Sequence, residues 1–103
     1  MIEVTILIPV ADNVGDLFTP AHFAAFESFV LERFGGLTRA PEGVKGVWED
    51  DNRLYEDDLI VYVVAVGSLL QDGAKLLEVI DFARSQFRQE AIFCRYLGVA
   101  EIL

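Results

Sequence analysis

Six carboxylates fall within ten residues, Glu49-Asp50-Asp51 and Glu56-Asp57-Asp58. Oxygen ligands at that density are what a hard cation such as calcium takes. The spacing does not match. A calcium loop counted from Asp50 needs an oxygen ligand at its fifth position and glycine at its sixth, where Leu54 and Tyr55 stand. The cluster fits better as the solvated rim of a hairpin, which also discourages edge-to-edge strand pairing. His22 is the single histidine. A lone imidazole can serve as a general base or a haem ligand, but it lacks the second histidine of the common zinc spacings. No metal or other cofactor is expected.

Cys94, the single cysteine, lies in an apolar stretch and is best explained as a small buried hydrophobe. A reactive thiolate needs electropositive company, and Arg95, its neighbour on a strand, points to the opposite face. Ser28, Ser68 and Ser85 have no GxSxG elbow around them. Gly35-Gly36 and Gly43-x-x-Gly46 match neither a P-loop nor a dinucleotide fingerprint. Trp48 and Tyr55 flank a small pocket near the acidic hairpin or pack in a core or interface.

The 103 residues suffice for one domain, 1–103. The net charge is −9, and the eight basic residues are scattered. No basic cluster exists to neutralise phosphates, so nucleic acid and anionic membranes are disfavoured as partners. A single cysteine allows no internal disulfide, which fits a reducing compartment. Met1-Ile2-Glu3 shows no basic lead and no cleavage site, so a cytoplasmic location is expected. The apolar fraction of 53% is high for so small a chain, and surplus apolar residues in small domains collect at interfaces.

The elements that must position these residues centre on Leu59–Val66, LIVYVVAV, an unbroken apolar run rich in β-branched residues. Such residues suit a pleated sheet, and the absence of alternation predicts a strand covered on both faces. Ile2, Val4, Ile6 and Ile8 alternate with other residues in a first strand that ends at Pro9. A polar loop over 11–17 follows. Thr19-Pro20 opens a helix bearing Phe23, Phe26, Val30 and Phe34, closed by Gly35-Gly36. A short strand places Val44, Gly46 and Trp48 on one face, and Asp50-Asp51-Asn52 is a hairpin turn. A second helix carries Leu76, Val79, Ile80, Ala83 and Phe87. Ser68 and Asp72 compete as its cap, and Gly73 inside a helix costs about 1 kcal/mol, which favours the later start. Ala91–Leu97 is the last strand, broken by Gly98, with Glu101–Leu103 as an apolar tail.

The order strand, helix, strand, strand, helix, strand predicts an α+β, ferredoxin-like βαββαβ sandwich, a four-stranded antiparallel sheet with two helices on one face. That leaves one sheet face open, and exposing apolar side chains there forgoes about 1.5–3 kcal/mol each. A two-fold homodimer through the open face is expected, with Leu7, Tyr62, Val64, Phe93 and Leu97 as interface candidates.

Phe34-Gly35-Gly36-Leu37-Thr38, Gly46-Val47-Trp48, Tyr55-Glu56-Asp57 and Gln89-Glu90-Ala91 form a pattern. With it the chain resembles a group of short uncharacterised bacterial proteins that carry FGGLT…GxW…YxD…QEA. The resemblance runs from the first helix to the last strand and implies a ferredoxin-like fold and no particular activity. His22, Arg39, Trp48, Tyr55, Gln89 and Glu90 are the candidate ligand-binding residues, and no catalytic set is identified. The expectation is a non-enzymatic homodimeric module that binds a small apolar ligand or a protein. The alternative is a small dimeric α+β-barrel enzyme acting on an apolar or aromatic molecule. A basic protein docking on the carboxylate rim would bind in a salt-sensitive way.

Overall fold

The computed structural model describes residues 1–97 and 99–103, with the backbone alone over 99–102. The elements are β1 (Ile2–Pro9), α1 (Pro20–Phe34), β2 (Thr38–Arg39), β3 (Val44–Asp50), β4 (Arg53–Val66), α2 (Leu69–Gln86), β5 (Phe93–Tyr96) and β6 (Val99–Ile102). The expected apolar run is the second half of β4, which is one uninterrupted strand of 14 residues. All the pairings are antiparallel, in the order β2-β4-β1-β5-β6, with β3 also on β4.

The expected α+β architecture holds in outline, but the sheet is larger than four strands. β2 and β3 divide one edge of β4 between them, pairing at Thr38↔Val63 and from Val44↔Leu59 to Asp50↔Arg53. Pro41 separates them, as a residue without a ladder donor must. Gly43 is required in the gap, because a Cβ there would lie 2.7 Å from the Leu59 carbonyl oxygen. The apolar tail is not loose. β6 pairs with β5, and Leu103 and Ile92 exchange backbone bonds of 2.8 and 3.0 Å.

The register fixes the faces. Val4, Ile6, Ile8, Tyr62, Val64, Val66 and Cys94 are buried and form one core with Phe26, Val30, Leu76, Val79, Ile80, Ala83 and Phe87 of the helical side. Phe26 meets Tyr62 edge-on at 5.2 Å, and Phe29 stacks on Phe82 at 4.2 Å between the helices. Tyr62 and Val64 therefore face the helices and belong to the core, which corrects their placement at an open-face interface. Their odd-numbered neighbours Leu59, Val61 and Val63 share the other face with Leu7 and Phe93, and each of these is half-buried.

Pairing of β1 with β4 stops at Pro9↔Leu59, followed by one bond from Val10 N–H to the Asp58 carbonyl at 3.0 Å. Arg53–Asp57 pairs with β3 alone, so the β3–β4 hairpin projects past the sheet as a two-stranded arm of about 17 Å at normal strand rise. Its tip is a two-residue turn in which Asp51 and Asn52 have φ of 51° and 62°, the left-handed pair that matches strand twist in tight hairpins.

Helix α1 starts and stops where expected, with Pro20 at its first turn and Gly35 at φ 76° closing it. Helix α2 starts earlier than the glycine cost suggested. Ser68 caps it by accepting from Gln71 N–H, and Asp72 Oδ2 accepts in return from Ser68 N–H at 3.2 Å. Two reciprocal cap bonds and the Leu76-to-Phe87 stripe outweigh one glycine. Gly73 has open space where a Cβ would go. Gly73→Ala is expected to raise unfolding stability by about 0.5–1 kcal/mol in urea titration. A destabilised variant would show that the helix does not include this turn.

Candidate functional site

The clearest meeting of polar groups with an aromatic wall lies between α1 and β2. Phe18, Pro20, Phe23, Ala24, Glu27 and Arg39 line an open cleft of about 340 Å³. Glu27 is four residues after Phe23 and three before Val30, so it lies on the side of α1 that faces the sheet. Behind it, Tyr62 is fully buried, and a buried hydroxyl needs a partner. Tyr62 Oη donates to Glu27 Oε2 at 2.6 Å. Arg39 sits beside Tyr62 in the ladder's outer position and donates from Nη1 to the same oxygen at 3.3 Å. Its guanidinium lies 5.4 Å from the Phe23 ring centre and 5.9 Å from that of Tyr62. Burial, and then the hydrogen bond to Glu27, push the Tyr62 phenol well above its usual range. The hydroxyl stays a donor at any physiological pH.

The six candidate ligand residues occupy four separate places. Arg39 belongs to the cleft. His22 is a capping residue: its Nδ1 accepts from Thr19 N–H at 3.1 Å, and its ring lies 5.2 Å from Phe18. Trp48 and Tyr55 stack at 6.2 Å on the projecting arm. Gln89 Nε2 donates to the Phe87 carbonyl at 2.9 Å, and Glu90 is exposed beyond the end of α2. Glu27, Phe18 and Phe23 are the cleft residues that sequence patterns did not single out for a site, and Tyr62, expected at a dimer interface, lies buried behind them. Only the position of Glu27 within the Phe23–Val30 face hinted at it.

The acidic rim is spread over both faces of the arm. Glu49, Glu56 and Asp58 point to one side, and Asp50 and Asp57 to the other. Burial, and then the neighbouring Asp58 charge, raise the Asp57 carboxyl above its usual range. Lys45 lies 3.8 Å from Asp58. Among the described residues, no group of three or more His, Cys, Asp or Glu side chains is placed to hold a metal ion. No described helix is long and apolar enough to cross a membrane.

A second open cleft of about 380 Å³ lies on the far side of the sheet, with Thr5, Arg95 and Leu97 among its lining. Leu97 itself sits at φ 50° in a turn and is exposed.

Asp12 organises the loop that carries Phe18 to the first cleft. Its Oδ1 accepts from the N–H groups of Val14 and Asp16, and its Oδ2 from Arg88 at 2.9 Å. The Asp16 bond chiefly holds its pKa below the ordinary carboxylate value, against a smaller opposing effect of burial.

The geometry defines an α+β chain with two helices on one face of an antiparallel sheet. Solved structures of that shape include a phage SAM lyase in complex with S-methyl-5'-thioadenosine, with TM-score 0.73, 12% identity, and coverage of 99% of this chain and 86% of that one. The same lyase in its apo state gives TM-score 0.68 at 12% identity over the same shares. The divalent cation tolerance protein Cut A1 of Thermus thermophilus gives 0.63 at 12% identity, over 98% of this chain and 86% of that one. At this identity the likeness is one of fold. No protein-family model matches the sequence, and no curated protein matches it by sequence.

A depressed carboxyl contributes stability above its unfolded pKa and loses it as pH falls through its lower folded pKa. Asp12→Asn is therefore expected to be less stable than wild type at pH 7. The gap should close as both are acidified below the ordinary carboxylate range, measured by urea unfolding at stepped pH. A gap that persists at the acid end would mean that Asp12 acts through something other than its charge.

Proposed function

We propose that this chain is a self-associating binding module, a homodimer built on the open face of its sheet. The observation that carries this reading is one continuous apolar strip. It begins at Phe93, Leu7, Val61 and Val63, and passes over Leu59 and Val44 onto the arm at Trp48 and Tyr55. Leu59 covers Gly46, whose missing side chain leaves room for it and brings it towards Trp48. Val44, Trp48 and Tyr55 are 45%, 46% and 38% exposed. On the reverse of the arm Val47 and Leu54 are also exposed, because the helices do not reach that far. Monomers rarely leave so much apolar surface uncovered.

Charge placement supports a second copy as the cover. Arg95 stands on this face at the level of Val63, through Thr5. Asp57 stands on it six residues along β4, about 20 Å away. An isologous two-fold contact with antiparallel strands brings each Arg95 towards the partner copy's Asp57 end. A reducing, cytoplasmic setting suits the lone buried Cys94.

A second reading, an enzyme acting on an apolar or aromatic small molecule, is favoured by the Glu27–Arg39–Tyr62 cleft. The likeness to a lyase supports it only as fold analogy. Tyr62 is too deeply buried to touch a substrate, which leaves Glu27 as the carboxylate available for a proton-transfer role.

Light scattering on three proteins tests the proposal. Wild type is expected at twice the chain mass of 11.5 kDa. Val63→Glu places a charge on the open face and should give a folded monomer with unchanged circular dichroism. Val64→Glu buries a charge in the core and should unfold. A wild-type monomer, or a Val63→Glu protein that stays associated, would overturn the reading.

A further inference from the structure

The cleft between α1 and β2 lies on the helical side of the sheet, away from the apolar strip, so a ligand bound there is independent of self-association. Its polar groups are unevenly satisfied. Both hydrogen bonds to Glu27 fall on Oε2, and Oε1 receives none from the described residues. Arg39 uses one N–H on Glu27, and its side chain is 47% exposed. A guanidinium has five N–H donors and a carboxylate is acceptor-only. The cleft therefore presents a free acceptor and free donors side by side.

The pair also sets the charge of what can bind. An anion drawn to Arg39 meets the Glu27 carboxylate held on it, in a chain of net charge −9. A cation drawn to Glu27 meets the Arg39 guanidinium. A neutral edge that offers an N–H donor to Oε1 and an acceptor to Arg39 satisfies both at once. Phe18, Phe23 and Pro20 supply flat apolar walls, against which an aromatic ring packs well. The volume, about 340 Å³, is at the small end for ligand pockets and holds one or two rings.

We propose that the Glu27–Arg39 cleft binds a small, neutral, flat ring that carries an N–H donor beside a hydrogen-bond acceptor. Primary aromatic carboxamides and amino-substituted nitrogen heterocycles share that edge. The carboxylate and the guanidinium read the edge, and the Phe18–Phe23–Pro20 wall holds the ring. Buried Tyr62 is a positioning residue, because its bond to Oε2 fixes the carboxylate so that Oε1 remains for the ligand.

The test is a titration of ¹⁵N-labelled protein followed by NMR, using nicotinamide for the carboxamide class and adenosine for the amino-heterocycle class. Each has a control lacking the donor: nicotinate for the first, purine riboside for the second. Saturable shifts at the amides of Ala24, Glu27 and Arg39 with one or both probes are expected, and which probe binds identifies the class. The matched control should bind at least about tenfold more weakly, the effect of one lost hydrogen bond to a charged group. Arg39→Met and Glu27→Gln, both at partly exposed positions, should each weaken the probe by a similar factor while the remaining spectrum stays that of the folded protein. Absence of saturable shifts with both probes at millimolar concentration would overturn the proposal. So would a control that binds as well as its probe, or variants that bind as well as wild type.

Discussion

A strand of 14 residues needs hydrogen-bond partners on two edges and cover on two faces, and β4 finds both only in part. Over Leu59–Val66 the inner edge is filled by β1, and one face is filled by the helices. Beyond the single bond from Val10 N–H to the Asp58 carbonyl, the inner edge has no backbone partner among the described residues, and the helices no longer reach either face. The same backbone is thus the centre of a core at one end and an unsupported ribbon at the other. The ribbon is held by its turn, by β3 and by cross-strand stacking of Trp48 on Tyr55, each a modest contribution. An arm with exposed apolar residues on both faces is stable in isolation only at the margin.

The second constraint is a single hydroxyl. Tyr62 occupies a core position where its neighbours along the same face, Val64 and Val66, are aliphatic. Burying it without an acceptor would cost more than its ring contributes at the margin. Glu27 supplies the acceptor from α1, and Arg39 partly balances the carboxylate from β2. One buried polar atom therefore ties the helix, the central strand and the two-residue edge strand together. The cleft is the outward side of that tie.

Much of this was legible in the residues. Thr19-Pro20 and Gly35 marked α1, and Asp51-Asn52 marked the hairpin. The Leu59–Val66 run marked a central strand. The phase of that run was not legible. A strand that alternates reveals which residues face the core, whereas LIVYVVAV is apolar in both registers, so Tyr62 and Val64 could be exchanged with Val61 and Val63. Only pairing with Val4, Ile6 and Ile8 settles it. Strand β6 was hidden for a different reason: four residues after a glycine carry too little pattern to be distinguished from a tail. The Glu27–Arg39–Tyr62 cluster was hidden by distance along the chain, since its members are 12 and 35 residues apart.

In the proposed homodimer, electrostatics would narrow how two such chains meet. Each carries −9, and six of its carboxylates crowd the arm and its base. A parallel face-to-face arrangement would set Asp57 against Asp57, and the Asp57 carboxyl is already resistant to ionisation within one chain. Like charges brought together in a partly desolvated contact repel more strongly than they do in water. The antiparallel arrangement separates the two arms to opposite ends and lets Arg95 approach the acidic end of the other copy. The carboxylates on the arm then act less as a binding group than as a filter on orientation. In that proposed assembly they would leave the apolar strip free to associate in one sense and oppose it in the other.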